Sequence, residues 1–236
     1  MKIKLFTVPN MITLGNLLCG CLSIVASLVV GDFRLALIFI IASAVCDFFD
    51  GFTARLLKQY SDIGVQLDSL ADMVSFGVAP SAMMFAFALD APTLFELNDV
   101  VAHIIVYVPF IMAAFSALRL AKFNIDDSQH ETFEGLPTPA NALFCASFVY
   151  AALYSGKAVE VEWIALISVV MAALLVSPIR MFSFKLKSFG WSKNKSLYIF
   201  LALSLVALLT LGVYSVPTII VLYIVISTIG WLFCKK

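Results

Sequence analysis

The sequence runs in long, almost uncharged apolar stretches, roughly at residues 10–30, 34–54, 68–89, 100–121, 139–155, 162–180, 196–212 and 215–233. A bilayer's hydrocarbon core takes about 20 mostly apolar residues per helix, and most of these stretches have that length. A soluble globule has nowhere to hide so much apolar surface. Of the 236 residues, 62% are hydrophobic and 13% charged, about half the charge of soluble domains. Disorder is excluded by the same numbers. A nucleic-acid partner is excluded because 15 Lys and Arg cancel 15 Asp and Glu. Continuous runs rather than short alternating strands rule out a β-barrel. The expected fold is all-α, a polytopic integral membrane helical bundle of about eight transmembrane helices. It forms a single membrane domain over residues 1–236, with short loops and no room for a soluble domain.

Positive charge orients such a bundle. With a cytoplasmic N-terminus, the inner segments hold Lys2 and Lys4, Arg55 and Lys58, and Arg119 and Lys122. They also hold Arg180, Lys185, Lys187, Lys193 and Lys195, then Lys235 and Lys236, leaving only Arg34 and Lys157 outside. Both termini are therefore expected in the cytoplasm, in a multi-pass protein of the inner membrane if the source is bacterial. The fifth span is short and opens at Pro139. The Arg180–Lys195 stretch, with Trp191, suits attraction to anionic lipid headgroups. Leu18-Cys19-Gly20-Cys21 faintly resembles a lipoprotein cleavage box, but Pro9-Asn10 at the start of the run and the spans that follow read as a retained first helix. The five cysteines form no C-x-x-C pair and are expected as buried apolar residues. His103 and His130 stand alone, so a multi-histidine zinc site finds no support.

Chemistry concentrates at residues 47–72. Carboxylates within membrane spans are costly and mark function by default. Asp47 and Asp50, three apart near the end of the second span, share a helical face, as do Asp68 and Asp72, four apart at the opening of the third. The spans are antiparallel and joined by a short cytoplasmic link, roughly 56–66, so the two pairs lie at one depth and can face each other. Four such charges repel strongly unless something positive lies between them. An oxygen-only set suits hard cations, Mg²⁺ or Mn²⁺, and two ions would neutralise four carboxylates in a way suited to displacement at phosphorus. Asp72, deepest from the link, is the least committed to metal. Spacing alone leaves three readings open: an ion or proton site in a transporter, a metal enzyme, and a structural network. Gly51, Ala54 and Gly64 permit close approach of a ligand or helix. Arg55 adds a cation suited to phosphate, and together they favour a metal-bound diphosphate.

These residues carry a resemblance. Asp47-x-x-Asp50-Gly51-x-x-Ala54-Arg55, then Gly64-x-x-x-Asp68-x-x-x-Asp72, resembles the full signature of the CDP-alcohol phosphotransferases, with all eight fixed positions present. The resemblance implies that Asp47, Asp50, Asp68 and Asp72 surround two divalent metals holding the CDP diphosphate. It makes Asp72 the general base that deprotonates the acceptor hydroxyl. Gly51, Ala54 and Gly64 would pack against the nucleotide, with Arg55 supporting the site. Pro9-Asn10-x-x-Thr13 resembles a family feature near the cytidine pocket, which makes Asn10 and Thr13 donor-binding candidates; an ordinary helix cap is the competing reading.

Three further stretches resemble the phosphatidylserine synthase branch: Asp72-Met-Val-Ser75-Phe76-Gly77-Val-Ala79-Pro80, Arg119-Leu-Ala-Lys122-Phe123-Asn124, and Phe133-Glu-Gly135-Leu136-Pro137-Thr138-Pro139-Ala-Asn141. The resemblance thus covers 9–141 as a catalytic core, with 142–236 as additional transmembrane helices matched in hydropathy alone. It implies CDP-diacylglycerol as donor, L-serine as acceptor, membrane lipids as surroundings, a cytoplasmic active site and a homodimer. A serine acceptor calls for a cation at its carboxylate, and Arg119 and Lys122 share a helical face at the depth of the aspartates, with Asn124 beside them. Lys122 stands where many relatives carry arginine, which keeps the charge and loses the bidentate fork. The Gly135–Pro139 segment is a rigid loop able to close over the site or merely connect helices. Asp126, Asp127, Glu131 and Glu134 read as solvated loop charges. A sister enzyme acting on glycerol phosphate or inositol stays open, and so does an ion- or proton-coupled transporter.

Overall fold

Thr7 starts the first helix by accepting the amide of Asn10 at 3.4 Å, and Pro9, with no amide hydrogen to leave unpaired, sits in the first turn. The computed structural model describes residues 5–95, 98–125, 133–156, 158–182 and 195–234. Helix α1 (Val8–Val25) widens into a π turn (Ala26–Val30) and stops at Gly31, whose φ of 72° is left-handed. Asp32 caps α2 (Phe33–Leu56), accepting the Leu35 amide at 2.9 Å. Ser61 caps α3 (Asp62–Asp72), which continues through a second π segment (Met73–Val78) into α4 (Ala79–Leu89). Next come α5 (Asp99–Ile105), α6 (Phe110–Ile125), α7 (Thr138–Ser155), α8 (Val161–Leu175), α9 (Lys195–Thr210) and α10 (Ser215–Cys234). A two-residue antiparallel ribbon pairs β1 (Phe133–Glu134) with β2 (Arg180–Met181).

Among the described residues, five helical runs are long and apolar enough to cross a membrane: Val8–Val30, Phe33–Leu57, Asp62–Leu89, His103–Ile125 and Gly212–Phe233. Helices α7, α8 and α9 match the remaining three sequence stretches but are shorter or more polar. The 15 residues of α8 reach about 22 Å at 1.5 Å per residue. Two expected boundaries change. The third span begins at Asp62 rather than 68, so Asp68 and Asp72 lie inside the helix instead of opening it. Its first turns are polar on one side, which hides them from an apolar-run reading. The sixth ends at Leu175 rather than 180, because Pro178 bars Ser177 from helical backbone. Lys2, Lys4, Asp126, Asp127, His130, Glu131, Lys157, Lys185, Lys187, Trp191, Lys193, Lys235 and Lys236 lie outside the described residues.

The bundle is apolar on its outside, and inside it a polar seam joins the first helices. Leu18, Phe48 and Leu70 are more than 60% exposed, whereas Asn16, Ser43 and Ser75 are fully buried. Small hydroxyls join the first helices: Ser43 and Ser75 each donate to the Asn16 carbonyl at 3.0 Å, and Ser23 donates to that of Ala36 at 3.0 Å. Without water, such bonds are how buried backbone and hydroxyl groups are satisfied. Gly20 permits a close crossing, since a Cβ there would fall 2.7 Å from the Ser75 Cα. The apolar core lies further along, around Phe76, Met83, Met112, Val149 and Ile164. Cysteines do not all join it: Cys145 is buried, Cys19 and Cys46 are half-buried, and Cys21 faces outward.

Candidate active site

Helices α2 and α3 run antiparallel through the short link 57–61, so the end of one faces the second and third turns of the other. One carboxylate oxygen from each of Asp47, Asp50 and Asp68 lies within 4.8 Å of the other two. Asp72, one turn deeper, is not of that set. Among the described residues the only ion pair is Lys122–Glu134, so no salt bridge neutralises the cluster. Two like charges 4 Å apart near a protein surface repel by about 4 kcal/mol. An Asp68 oxygen, Oδ1, is buried without a hydrogen-bond partner. An acceptor-only, oxygen-only trio with an orphaned buried oxygen fits a hard divalent cation.

Helix α1 supplies the donors. Thr13 Oγ1 donates to Asp50 Oδ2 at 2.7 Å, and Asn16 Nδ2 donates to Asp72 Oδ1 at 3.1 Å. Asn10, also buried, donates to the Leu5 carbonyl at 2.8 Å. Asn10, Thr13 and Asn16 are three apart and line one helical face, so Asn16 escaped the sequence reading although an amide inside an apolar span at that spacing was the signal. Gly64 fits between α3 and α1: a Cβ there would stand 3.3 Å from Asn10 Oδ1 and 3.1 Å from Ser61 Oγ. Gly51 faces open space, with nothing within 4 Å of where its Cβ would be. Ala54 is half-buried, and exposed Arg55 donates through Nε to the Gly51 carbonyl at 3.0 Å. Glycine at 51 leaves the backbone beside Asp50 bare.

A cavity of about 580 Å³ opens on the other side of the aspartates, bordered by Asp47, Asp68, Asp72 and, from α6, Arg119 and Asn124. Arg119 Nε is buried with no hydrogen-bond partner. Asn124 Nδ2 donates to Ser69 Oγ at 2.9 Å, fixing α6 to α3. Lys122 does not line this cavity. It pairs with Glu134 at 3.1 Å beside a smaller cleft of about 130 Å³ that shares Arg119 and Phe123 with the first. Glu134, expected as a solvated loop charge, is therefore half-buried and paired.

The Gly135–Pro139 segment does more than connect helices. Gly135 has a φ of 75°, and its amide donates to the Ile179 carbonyl at 2.9 Å, while that of Leu136 donates to Leu174 at 2.9 Å. A side chain at 135 would strike the Leu175 carbonyl. Tied to the end of α8 this way, the segment presents Pro137, Thr138 and Pro139 to the cavity. Another part of the lining comes from Phe182, Phe200 of α9, and Ile219, Ile220 and Tyr223 of α10. Nothing in their sequence distinguishes these from other lipid-side residues, and sequence reasoning missed them.

A model of the family described as CDP-alcohol phosphatidyltransferase matches residues 6–174. The chain is 40% identical over 145 residues, 61% of its length and 76% of the relative's, to a CDP-diacylglycerol–serine O-phosphatidyltransferase of Bacillus subtilis. It is 31% identical over 237 residues, covering 97% of this chain and 92% of the relative, to the Helicobacter pylori protein of the same name. An archaetidylserine synthase of Methanothermobacter thermautotrophicus is 30% identical over 173 residues, 72% of this chain and 67% of that one.

Proposed function

The chain belongs to the CDP-alcohol phosphatidyltransferase family, and on that premise we propose that it transfers the phosphatidyl group of CDP-diacylglycerol to the hydroxyl of L-serine, giving phosphatidylserine and CMP. The observation that carries this reading is the meeting of the α2–α3 aspartates and Arg119 at one cavity. The names of the relatives support serine as acceptor. So does charge: among the described residues Arg119 is the one cation lining the cavity. One guanidinium matches a carboxylate better than the dianionic phosphate of a glycerol phosphate acceptor. The protein acts as a homodimer of chains with eight spans, both termini and the active site facing the cytoplasm.

Asp47, Asp50 and Asp68, with Asp72 at their edge, would hold two divalent ions, Mg²⁺ or Mn²⁺, which when bound neutralise the diphosphate. The cytidine side of the donor lies against α1 and the α2–α3 turn, where Asn10, Thr13, Gly51, Ala54 and Gly64 are small or hydrogen-bonding and Arg55 supplies a cation. Arg119 orients serine by its carboxylate, with Asn124 beside it, while Lys122, one turn on, pairs with Glu134 outside the cavity. Asp72 accepts the proton of the serine hydroxyl. Its Oδ1 is held by Asn16, which fixes the carboxylate where the proton is taken. The serine oxygen forms a bond to the phosphorus bearing the diacylglycerol, and the bond from that phosphorus to the CMP oxygen breaks, CMP leaving with the electron pair. Positioning and charge complementarity supply most of the acceleration.

Purified protein in detergent, given CDP-diacylglycerol and Mg²⁺ or Mn²⁺, should release CMP only with L-serine, and mass spectrometry should find phosphatidylserine. Release only with another alcohol would overturn the acceptor, and none with any alcohol would overturn the transferase reading. Asp72→Asn should abolish turnover and spare donor binding.

A further inference from the structure

The family model ends at residue 174, yet one wall of the aspartate cavity comes from residues beyond it. Phe182, Phe200 and Tyr223 form an edge-packed cluster with ring centroids 5.5, 4.9 and 6.0 Å apart. Tyr223 spends its hydroxyl on the Phe182 carbonyl at 3.2 Å, and the Phe182 amide reaches Ser227 Oγ at 3.5 Å. The cluster is thereby fastened to α10, which packs on α9 and α7. Ile219 and Ile220 extend the same surface. The cavity thus combines, in its lining, carboxylates, Arg119 and Asn124 with aromatic and aliphatic carbon from α9 and α10. Its volume of about 580 Å³ is that of a small-molecule site of about 300–1,000 Å³, too large for an amino acid alone.

Displacement at phosphorus sets attacking and leaving oxygens roughly in line. None of Asn10, Thr13, Gly51 or Gly64 borders the cavity, so CMP departs on their side and serine attacks from the cavity side. The diacylglycerol oxygen is neither nucleophile nor leaving group and projects sideways from that line. We propose that α9 and α10 are the donor-lipid wall of this enzyme: Phe182, Phe200, Ile219, Ile220 and Tyr223 hold the glycerol and first acyl carbons of the donor and set which chains it accepts. This rests on the transferase reading above and gives the helices beyond the common family region a task in specificity.

The experiment compares kcat/KM for two CDP-diacylglycerols, one with straight palmitoyl chains and one with methyl-branched phytanoyl chains, at saturating serine. Ile220→Phe, which fills the wall, should lower the branched-to-straight ratio at least fivefold. Ile220→Ala, which widens it, should raise the ratio by a similar factor, with the serine KM within twofold in both. If Ile220→Phe does not fold, Phe200→Leu takes its place with Ile220→Ala as a second widening variant, and both should raise the ratio. A ratio unchanged in both variants, or a serine KM that moves while the donor ratio does not, overturns the proposal and leaves the transferase reading intact. Wild-type protein that releases no CMP from either donor with serine overturns the serine reading and this proposal with it.

Discussion

Replacing Asn16 with alanine removes one side-chain contact of known partner and leaves the surrounding backbone frame in place. Asn16 is fully buried, and its Nδ2 donates to Asp72 Oδ1 at 3.1 Å. The bonds that join α2 and the π segment after α3 to α1 at this point go to the Asn16 carbonyl, from Ser43 and Ser75, and survive the change. A buried hydrogen bond to a charged group contributes about 1.5–3 kcal/mol. If that amount is what holds Asp72 in its proton-accepting position, kcat falls by about 10- to 150-fold. Asn16 borders neither the cavity nor the small cleft, so the KM values for donor and serine should stay within about threefold. The assay is initial-rate CMP release in detergent with both substrates saturating, alongside thermal unfolding. A kcat within twofold of wild type would refute the claim that Asn16 positions the base. So would a fall in kcat matched by a rise in donor KM, since that pattern reports a collapsed site.

Three further outcomes are expected. Arg119→Ala should raise the serine KM at least tenfold and the donor KM little, whereas Lys122→Ala, which loses a half-exposed ion pair of about 0–1 kcal/mol, should have a much smaller effect; equal effects would deny Arg119 the carboxylate. Chelation with EDTA should stop CMP release, with Mg²⁺ or Mn²⁺ restoring it and Asp68→Asn blocking the restoration; activity persisting in EDTA would remove the metal from the reading. Gly135→Ala should lower the thermal midpoint in detergent, because a φ of 75° and the Leu175 carbonyl both oppose a side chain there. A strained residue of this kind costs about 1–3 kcal/mol, and an unchanged midpoint would show that the α8 latch yields freely.

What could be read without coordinates followed from effects that act along the chain. Apolar runs foretold helices because every backbone polar group in lipid must be satisfied within its own segment. The fixed spacing of Asp47, Asp50, Asp68 and Asp72 foretold a shared site because three- and four-residue intervals put side chains on one helical face. Where polar residues start a helix, as at Asp62–Gln66, the apolar signal failed, and Ser61 capping had to be seen to place the third helix.

Partnerships across space were a different matter. Arg119 and Lys122 are equivalent by helical spacing, yet one faces the aspartate cavity and the other pairs with Glu134; the choice depends on where the 133–139 segment lies, and its latch to α8 fixes that. Asn16 became a partner of Asp72 through the close crossing of α1 and the π segment that follows α3, at Gly20 and Ser75. Phe200 and Tyr223 are buried because α10 packs over α7 and the ribbon, and α9 packs on α10. The sequence by itself determined the helical membrane class and the carboxylate cluster, since both are written in local periodicity. Only the tertiary structure decided which cation, amide and aromatic residues meet that cluster, because contacts between distant segments depend on how helices cross, and crossing depends on side-chain volumes that no local pattern records.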